Sequence, residues 1–265
     1  MPTLDLADVE IYYEDQGKGF PLVLIPGFAS GAWSWAWQTG ALAEIFRVIT
    51  FDPPGVARSK MIDDGAVSIE VIADDIAAML DVLLIGKAHV LGISFGGFVA
   101  QEFAFRHPKR LSRLVLASTS FGGQNHVSPS LEVLASFAST EGLNTTDRIR
   151  RYLTQAFSPE FVESNPDIVE HFCGLRESNI VPEQVYMQQL QSAMRFDLEE
   201  RVPKIAAETL ILTGDGDTVV PVQNSRNLAA KLPNARLEII PGCGHMAFVE
   251  RSGEFNRIVR DFLIS

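Results

Sequence analysis

The sequence predicts an α/β fold with a mostly parallel, doubly wound sheet, and three observations support this class. Short apolar runs alternate with segments of helical periodicity through the first 120 residues, and the alternation returns near the C-terminus. Several of the runs are apolar almost throughout, which is typical of strands covered on both faces. Glycine-rich or polar turns follow the runs, as expected at the edge where the loops of a parallel sheet meet. Strands separated by helices indicate right-handed βαβ units.

The elements are assigned from hydrophobic period and from turn residues. Residues 4–13 alternate and, with the turn at 16–19, predict an antiparallel hairpin at a sheet edge. Buried strands are expected at 21–26, 46–51, 90–91, 111–118, 209–213 and 237–240. Helices are expected at 33–45, 68–84, 99–104, 222–232 and 248–263, and Ser68 is the expected N-cap of the second.

Residues 121–201 interrupt the alternation because only helical segments are expected there, at 131–138, 147–157, 167–177 and 183–194. Such a block is either a cap over the carboxyl edge of the sheet or a separate small domain. We expect a cap at 121–201, inserted into an α/β core formed by 1–120 and 202–265. Its aromatic and methionine side chains are expected mainly in the core, with some lining a pocket.

Composition narrows the class of partner. The chain has 265 residues, 46% of them hydrophobic, and a net charge of −11, so a nucleic-acid partner is not expected. The N-terminal residues show no basic and apolar leader, and no apolar run reaches membrane-spanning length, so the cytoplasm is the expected location. The oligomeric state stays open.

The two cysteines, Cys173 and Cys243, have no metal-ligand spacing and are expected to be reduced and structurally incidental. Cys243 stands two residues before His245, which leaves a reactive role open. No metal site and no cofactor is expected.

The stretch around which the chain is organised is Gly92-Ile93-Ser94-Phe95-Gly96-Gly97, between an apolar strand and a segment of helical spacing. A serine on so sharp a turn requires small neighbours two residues before and after it, and Gly92 and Gly96 occupy those positions. The hydroxyl would then project from the carboxyl end of a parallel strand. Alone, the pattern also fits a glycine-rich turn whose serine caps the helix.

Two further loops favour the catalytic interpretation. Asp215 and Asp217 follow one expected strand, and His245 follows the next, so both loops reach the edge of the sheet that carries Ser94. An imidazole can take the proton of a serine hydroxyl near neutral pH, and a carboxylate can fix the imidazole tautomer. Each residue alone would be an ordinary loop residue, but together they indicate nucleophilic catalysis.

An oxyanion formed from a carbonyl group needs two N–H donors. The backbone N–H of Phe95, at the start of the expected helix, is one candidate. The loop after strand 21–26 is the natural source of the other, because Gly27 lets the chain bend so that the N–H of Phe28 points into the crevice.

With these residues, nearly the whole chain resembles the α/β-hydrolase superfamily. Gly92 to Gly97 is similar to its nucleophile elbow, which implies Ser94 as the nucleophile. Residues 214–221 fit the pattern Gly-x-x-Asp-x-x-x-Pro, which selects Asp217 as the acid, and Gly244-His245 is similar to the terminal histidine loop, which implies His245 as the base. The resemblance also implies Phe28 and Phe95 as oxyanion donors and a helical cap.

Two segments depart from the superfamily pattern. Pro26-Gly27 stands where the superfamily often has His-Gly. The change removes a supporting side chain, but it does not remove an N–H donor of the oxyanion site. The segment Asp-x-x-Gly-x-Gly-x-Ser survives only in part at 52–59, which leaves the conformation of that loop open. In its length and in the amino-acid sequence of the elbow, the chain is most similar to small carboxylesterases and 3-oxoadipate enol-lactonase-like hydrolases.

We therefore expect a serine hydrolase that cleaves a carboxylic ester or a lactone of a small molecule through an acyl-enzyme intermediate. A perhydrolase or a C–C bond hydrolase with the same triad is the alternative among enzymes. A ligand-binding receptor of the same fold is the alternative from another class. A nucleotide-binding protein is disfavoured because 92–97 lacks both the P-loop Lys and the dinucleotide glycine spacing.

Overall fold

The computed structural model describes residues 2–62, 65–131, 133–134 and 145–265. Within them, nine strands form one sheet. The strands are β1 (Thr3–Leu6), β2 (Val9–Gln16), β3 (Pro21–Ile25), β4 (Arg47–Phe51), β5 (Lys60–Met61), β6 (Ala88–Ile93), β7 (Leu111–Ala117), β8 (Thr209–Gly214) and β9 (Ala235–Ile240). Their order is β1-β2-β4-β3-β6-β7-β8-β9, with β5 beside β2. The strands from β4 to β9 in this order are parallel, and β1, β2 and β5 pair antiparallel at one end, so the expected mostly parallel sheet is confirmed.

The helices cover both faces of the sheet. They are α1 (Thr39–Ala43), α2 (Ile69–Val82), α3 (Phe95–Arg106), α4 (Thr145–Ala156), α5 (Pro159–Ser164), α6 (Pro166–Glu177), α7 (Glu183–Arg195), α8 (Val222–Lys231), α9 (Ala247–Glu250) and α10 (Ser252–Ile264), with short 3₁₀ turns at Ala32–Trp35 and Val202–Lys204. Val90 and Leu91, neighbours on the central strand β6, belong to separate apolar clusters on opposite faces. The central strands β6 and β8 are therefore buried on both sides, as their sequence predicts, whereas β9, expected to be buried at 237–240, lies at the edge of the sheet and is only partly buried.

The structure differs from the sequence expectation in several described segments. The hairpin of β1 and β2 turns between Leu6 and Val9, whereas residues 17–19 connect β2 to β3. The helix expected at 248–263 is interrupted at Arg251, which lies between α9 and α10 with φ −127°. An additional short helix, α5, lies between the helices expected at 147–157 and 167–177. The helix expected at 131–138 lies mostly outside the described residues.

The helix expected at 33–45 is replaced by a 3₁₀ turn and the short α1. The indole of Trp35 lies 5.7 Å from the ring of Phe248, measured between ring centroids, and the Gln38 side-chain amide donates to the Phe248 carbonyl at 2.5 Å. These contacts with α9 hold the segment between Ala32–Trp35 and α1 in place. Tertiary packing therefore overrides the local helical period.

The loop after β4, whose conformation the sequence leaves open, is ordered by one buried carboxylate. Asp52 Oδ1 accepts from the Ala32 N–H at 2.8 Å, and Oδ2 accepts from the Arg58 backbone N–H at 3.1 Å and from Nε at 2.8 Å. Ser59 Oγ donates to the Asp52 carbonyl at 2.6 Å. The loop thus keeps a fixed conformation despite its departures from the superfamily pattern.

Strand β6 and helix α3 meet at Ser94, which has φ 54° and ψ −117°. Positive φ is unusual for a residue with a Cβ, so the surrounding packing must impose it. A Cβ at Gly96 would overlap the carbonyl oxygens of Ile25 and Pro26, and one at Gly92 would overlap the Gly96 carbonyl oxygen. The two glycines therefore allow strand and helix to approach closely enough to force the turn, as the sequence predicts.

This packing predicts different outcomes for two helical glycines. Gly96→Ala places a methyl group against rigid backbone and is expected to lower the free energy of unfolding by about 3 kcal/mol. In Gly174→Ala the new methyl would meet no atom within 4 Å, and the substitution is expected to raise that free energy by about 0.5 to 1 kcal/mol through helix propensity. Urea unfolding of both variants measures the difference, and equal effects would contradict the close approach at Gly96.

Candidate active site

The Ser94 backbone is held by three hydrogen bonds. Its N–H donates to the Ala117 carbonyl at 2.9 Å, and its carbonyl accepts from Thr119 Oγ1 at 2.8 Å and from the Gly97 N–H at 2.9 Å. Strand β7 and the residues that follow it therefore hold the turn from one side. The Ser94 side chain is half-buried and lines a cavity above the carboxyl edge of the sheet.

Asp217 and His245 form a buried pair at the same edge. His245 Nδ1 lies 2.9 Å from Asp217 Oδ2, and the two residues are only 4% and 5% exposed, respectively. Asp217 Oδ1 accepts from the backbone N–H groups of Val219 at 2.9 Å and Val220 at 2.7 Å, which fix the carboxylate. A neutral imidazole in this setting carries its proton on Nδ1, so Nε2 is left as the acceptor. His245 lines the cavity that contains Ser94.

The structure separates the two aspartates that follow β8. Asp215 Oδ1 accepts from the Gly242 N–H at 2.8 Å, and this residue is exposed, whereas Asp217 is buried against His245. The geometry therefore pairs the imidazole with Asp217, the residue that the resemblance selects.

The loop that carries His245 is fastened to the helical block. The Glu250 carboxylate accepts from the N–H groups of Gly244 at 3.0 Å and Ser158 at 3.2 Å, and from Ser158 Oγ at 2.5 Å. Met246 N–H donates to the carbonyl of Ala156 at 3.2 Å. Burial raises the pKa of Glu250. The helical block thus contributes to the position of the imidazole.

The neighbouring thiol has no place in this arrangement. Cys243 is fully buried and has no disulfide partner, and burial raises its pKa to about 11. Cys173 is also buried, and burial raises its pKa to about 11 as well. A thiol with so high a pKa carries little thiolate near neutral pH and is a weak nucleophile.

The residues that carry the two expected N–H donors lie next to Ser94. Phe95 is the first residue of α3, where helix N–H groups have no acceptor within the helix. A Cβ built on Gly27 would lie 3.7 Å from the Cβ of Ser94, so the turn that carries Phe28 passes beside the serine. The ring centroids of Phe28 and Phe95 lie 6.1 Å apart. This arrangement suits an anion that forms next to the Ser94 hydroxyl.

The cavity has a volume of about 770 Å³ and lies between the sheet edge and the helical block. Ser94, His245, Gly27 and Phe28 contribute from the core. Apolar side chains of the block form much of the remaining wall, and they include Ile149, Leu153, Phe172, Ile180, Val181, Met187 and Leu190. A volume of this size fits a small organic molecule.

One cationic residue of the wall was not anticipated from the sequence. Arg176, on α6, is 8% exposed, and its Nη1 donates to the Asn179 carbonyl at 3.0 Å. Among the described residues no carboxylate lies within salt-bridge distance of it, because the adjacent Glu177 pairs with Arg150. Burial lowers the pKa of Arg176 to about 10, so the guanidinium is still charged at neutral pH. The only signal in the sequence was an arginine in a helix of otherwise amphipathic pattern.

The described part of the chain has neither a cluster of metal ligands nor a membrane-crossing helix. No three His, Cys, Asp or Glu side chains there come close enough to hold a metal ion. No helix there has both the length and the hydropathy that a membrane crossing requires.

Comparison with known proteins agrees with the fold. A profile of the Alpha/beta hydrolase family matches residues 22–258. A 2-hydroxy-6-oxononadienedioate/2-hydroxy-6-oxononatrienedioate hydrolase of Pseudomonas putida is 30% identical over 271 residues, covering 97% of this chain and 92% of that protein. The enol-lactonase from Burkholderia xenovorans LB400 superposes with a TM-score of 0.86 at 25% identity, covering 100% of both chains. A thermophilic esterase from Thermogutta terrifontis has a TM-score of 0.84 at 26% identity, covering 99% of this chain and 98% of that one.

The family match covers most of the chain, including the elbow, both aspartates that follow β8 and the histidine loop. Together with the sheet order and the buried Asp217–His245 pair, it shows that this chain belongs to the alpha/beta hydrolase family.

Proposed function

We propose that the protein is a serine hydrolase that cleaves an ester or lactone of a small, carboxylate-bearing molecule. The observation that carries the proposal is that Ser94 and His245 line one cavity while the imidazole is bound on its far side by Asp217. Nucleophile, base and orienting acid are then available in one place.

The proposed reaction has two halves. His245 Nε2 takes the proton of the Ser94 hydroxyl as Oγ attacks the carbonyl carbon, and the oxyanion is held by the N–H groups of Phe28 and Phe95. The C–O bond to the leaving alcohol breaks, and His245 returns the proton to that oxygen. A water molecule then attacks the acyl-enzyme with His245 again as base, which releases the carboxylic acid and restores Ser94.

The anionic substituent is proposed from the chemistry of the wall. A buried guanidinium without a carboxylate partner is costly, and an anionic ligand would compensate the charge. Arg176 occupies this position in a wall that is otherwise largely apolar. Arg148 and Glu183 also line the cavity, but both are exposed to solvent, so their charges are screened. In support, the Pseudomonas putida relative is named as a hydrolase of a hydroxy-oxo-dienedioate, and the Burkholderia xenovorans protein is named as an enol-lactonase.

We further propose that residues 121–201 act as a cap. Helices α4, α6 and α7 all supply side chains to the cavity wall, whereas the proposed triad lies outside this block. Substrate selection would then reside in the block and bond cleavage in the core.

Hydrolysis of a C–C bond is the second candidate, because the Pseudomonas putida relative at 30% identity is named as a hydrolase of an oxo-dienedioate. The same triad would serve both reactions. Assays of p-nitrophenyl esters, an enol lactone and a 2-hydroxy-6-oxodienoate under identical conditions separate them, because turnover of the dienoate alone would favour C–C cleavage. Saturable binding without turnover of any of the three would favour a receptor.

Ser94→Ala is expected to lower kcat by a factor of about 10⁴ or more and to abolish labelling by a fluorophosphonate, since it removes the nucleophile. Ser225→Ala is the matched control, because Ser225 is fully buried on α8 and does not line the cavity. The Ser225→Ala variant is expected to keep the wild-type kcat and the labelling by the fluorophosphonate. Turnover of p-nitrophenyl acetate by the Ser94 variant at the wild-type rate, or labelling of another residue, would refute the proposed role.

Arg176→Gln is expected to raise KM for the mono-p-nitrophenyl ester of succinic acid about 10-fold to 100-fold, because a charged hydrogen bond to the carboxylate is lost. For the uncharged p-nitrophenyl butyrate, KM is expected to change less than about twofold. Arg150→Gln is the control, because Arg150 pairs with Glu170 and Glu177 and does not line the cavity. Equal effects of Arg176→Gln on both esters would exclude the carboxylate subsite.

A further inference from the structure

The helical block reaches the turn that carries Phe28 through one buried hydrogen bond. Gln189 Oε1, on α7, accepts from the Ala29 backbone N–H at 2.8 Å. Gln189 is 1% exposed and Ala29 is fully buried, so water does not compete for this contact. The two residues are 160 positions apart in the chain. An amide side chain from the block thus holds a peptide group directly beside the proposed oxyanion donor.

The turn requires such support. Ser30 N–H donates to the Gly27 carbonyl at 3.2 Å and closes a four-residue turn, in which Ala29 has φ 51°. A left-handed conformation costs a residue with a Cβ about 1 to 2 kcal/mol, so the turn would otherwise relax. Ser30 Oγ donates to the Phe28 carbonyl at 3.2 Å. The peptide between Phe28 and Ala29 is therefore held at its oxygen by Ser30 and at its N–H by Gln189.

Helix α7 is anchored independently of this turn. The Val67 N–H donates to Gln188 Oε1 at 3.3 Å, and the Ile69 N–H donates to Ser192 Oγ at 3.0 Å. These contacts fasten α7 to the start of α2. The helix also holds the Phe28 ring directly, since the centroid of the Tyr186 ring lies 4.8 Å from it. Because α7 is held in place by these contacts, Gln189 has a fixed position relative to the turn.

We infer that Gln189 is a positioning residue that holds the Phe28 N–H in line with the oxyanion. This inference rests on the proposed function, because it assigns Gln189 to the transition state of that reaction. Removal of the Gln189 oxygen leaves the buried Ala29 N–H without its acceptor, and the turn then relaxes toward a conformation that satisfies it. Loss of one oxyanion donor costs about 10² to 10³ in kcat, and a misaligned donor costs part of this.

The test compares Gln189→Leu with Gln191→Leu, which changes an exposed glutamine of the same helix that does not line the cavity and leaves the turn and the α7 anchors intact. Gln189→Leu is expected to lower kcat for p-nitrophenyl butyrate about 10-fold to 100-fold, with KM changed less than about threefold. The rate of labelling by a fluorophosphonate, whose phosphoryl oxygen occupies the same position, is expected to fall by a similar factor. Gln191→Leu is expected to keep both rates within about twofold.

Active-site titration separates positioning from folding. A purely structural role predicts fewer titratable sites with an unchanged kcat per site, and this result would overturn the inference. If Gln189→Leu does not fold, Gln189→Met replaces it, because methionine is close to glutamine in length and adapts to its surroundings. Wild-type protein that hydrolyses no ester and is not labelled at Ser94 would refute the proposed function itself. Normal wild-type labelling with an unaffected Gln189 variant would refute only the role of Gln189.

Discussion

The left-handed backbone at Ser94 is the constraint on which the rest of the site depends. It exists because Gly92 and Gly96 let β6 and α3 touch, and because hydrogen bonds to Ala117 and Thr119 hold the serine from the next strand. Strained residues of this kind cost about 1 to 3 kcal/mol and persist only where the surroundings fix them. The strained conformation places the Ser94 hydroxyl in the cavity, beside Phe95 and the turn that carries Phe28.

Much of this arrangement could be predicted from the sequence because it depends on local rules. The glycines around Ser94 specify the turn, and the alternation of strands and helices specifies that the loops after β6, β8 and β9 meet at one edge. The choice of Asp217 over Asp215 rests on the resemblance of residues 214–221 to the superfamily pattern. The structure adds the physical reason, because Asp217 packs under His245 and binds two backbone N–H groups, whereas Asp215 stays at the surface.

The side chains that the helical block contributes to the site could not be predicted from the sequence. Helical periodicity marks which face of α6 or α7 is buried, but not which partner covers it, so neither Arg176 in the cavity wall nor the bond from Gln189 to Ala29 could be read from it. The same limit explains the helix wrongly expected at 33–45, where contacts with Phe248 decide the local structure. Residues fixed by neighbours in sequence were predictable, and residues fixed by docking of distant helices were not.

Ser94 Oγ is expected to attack the carbon of the same carbonyl group whose oxygen the N–H groups of Phe28 and Phe95 bind. A crystal structure of the protein after reaction with a fluorophosphonate tests this most directly. We expect phosphorus to be bonded to Ser94 Oγ and a phosphoryl oxygen to lie within about 3 Å of the backbone nitrogens of both Phe28 and Phe95. An adduct on another residue, or a phosphoryl oxygen turned away from both N–H groups, would contradict it.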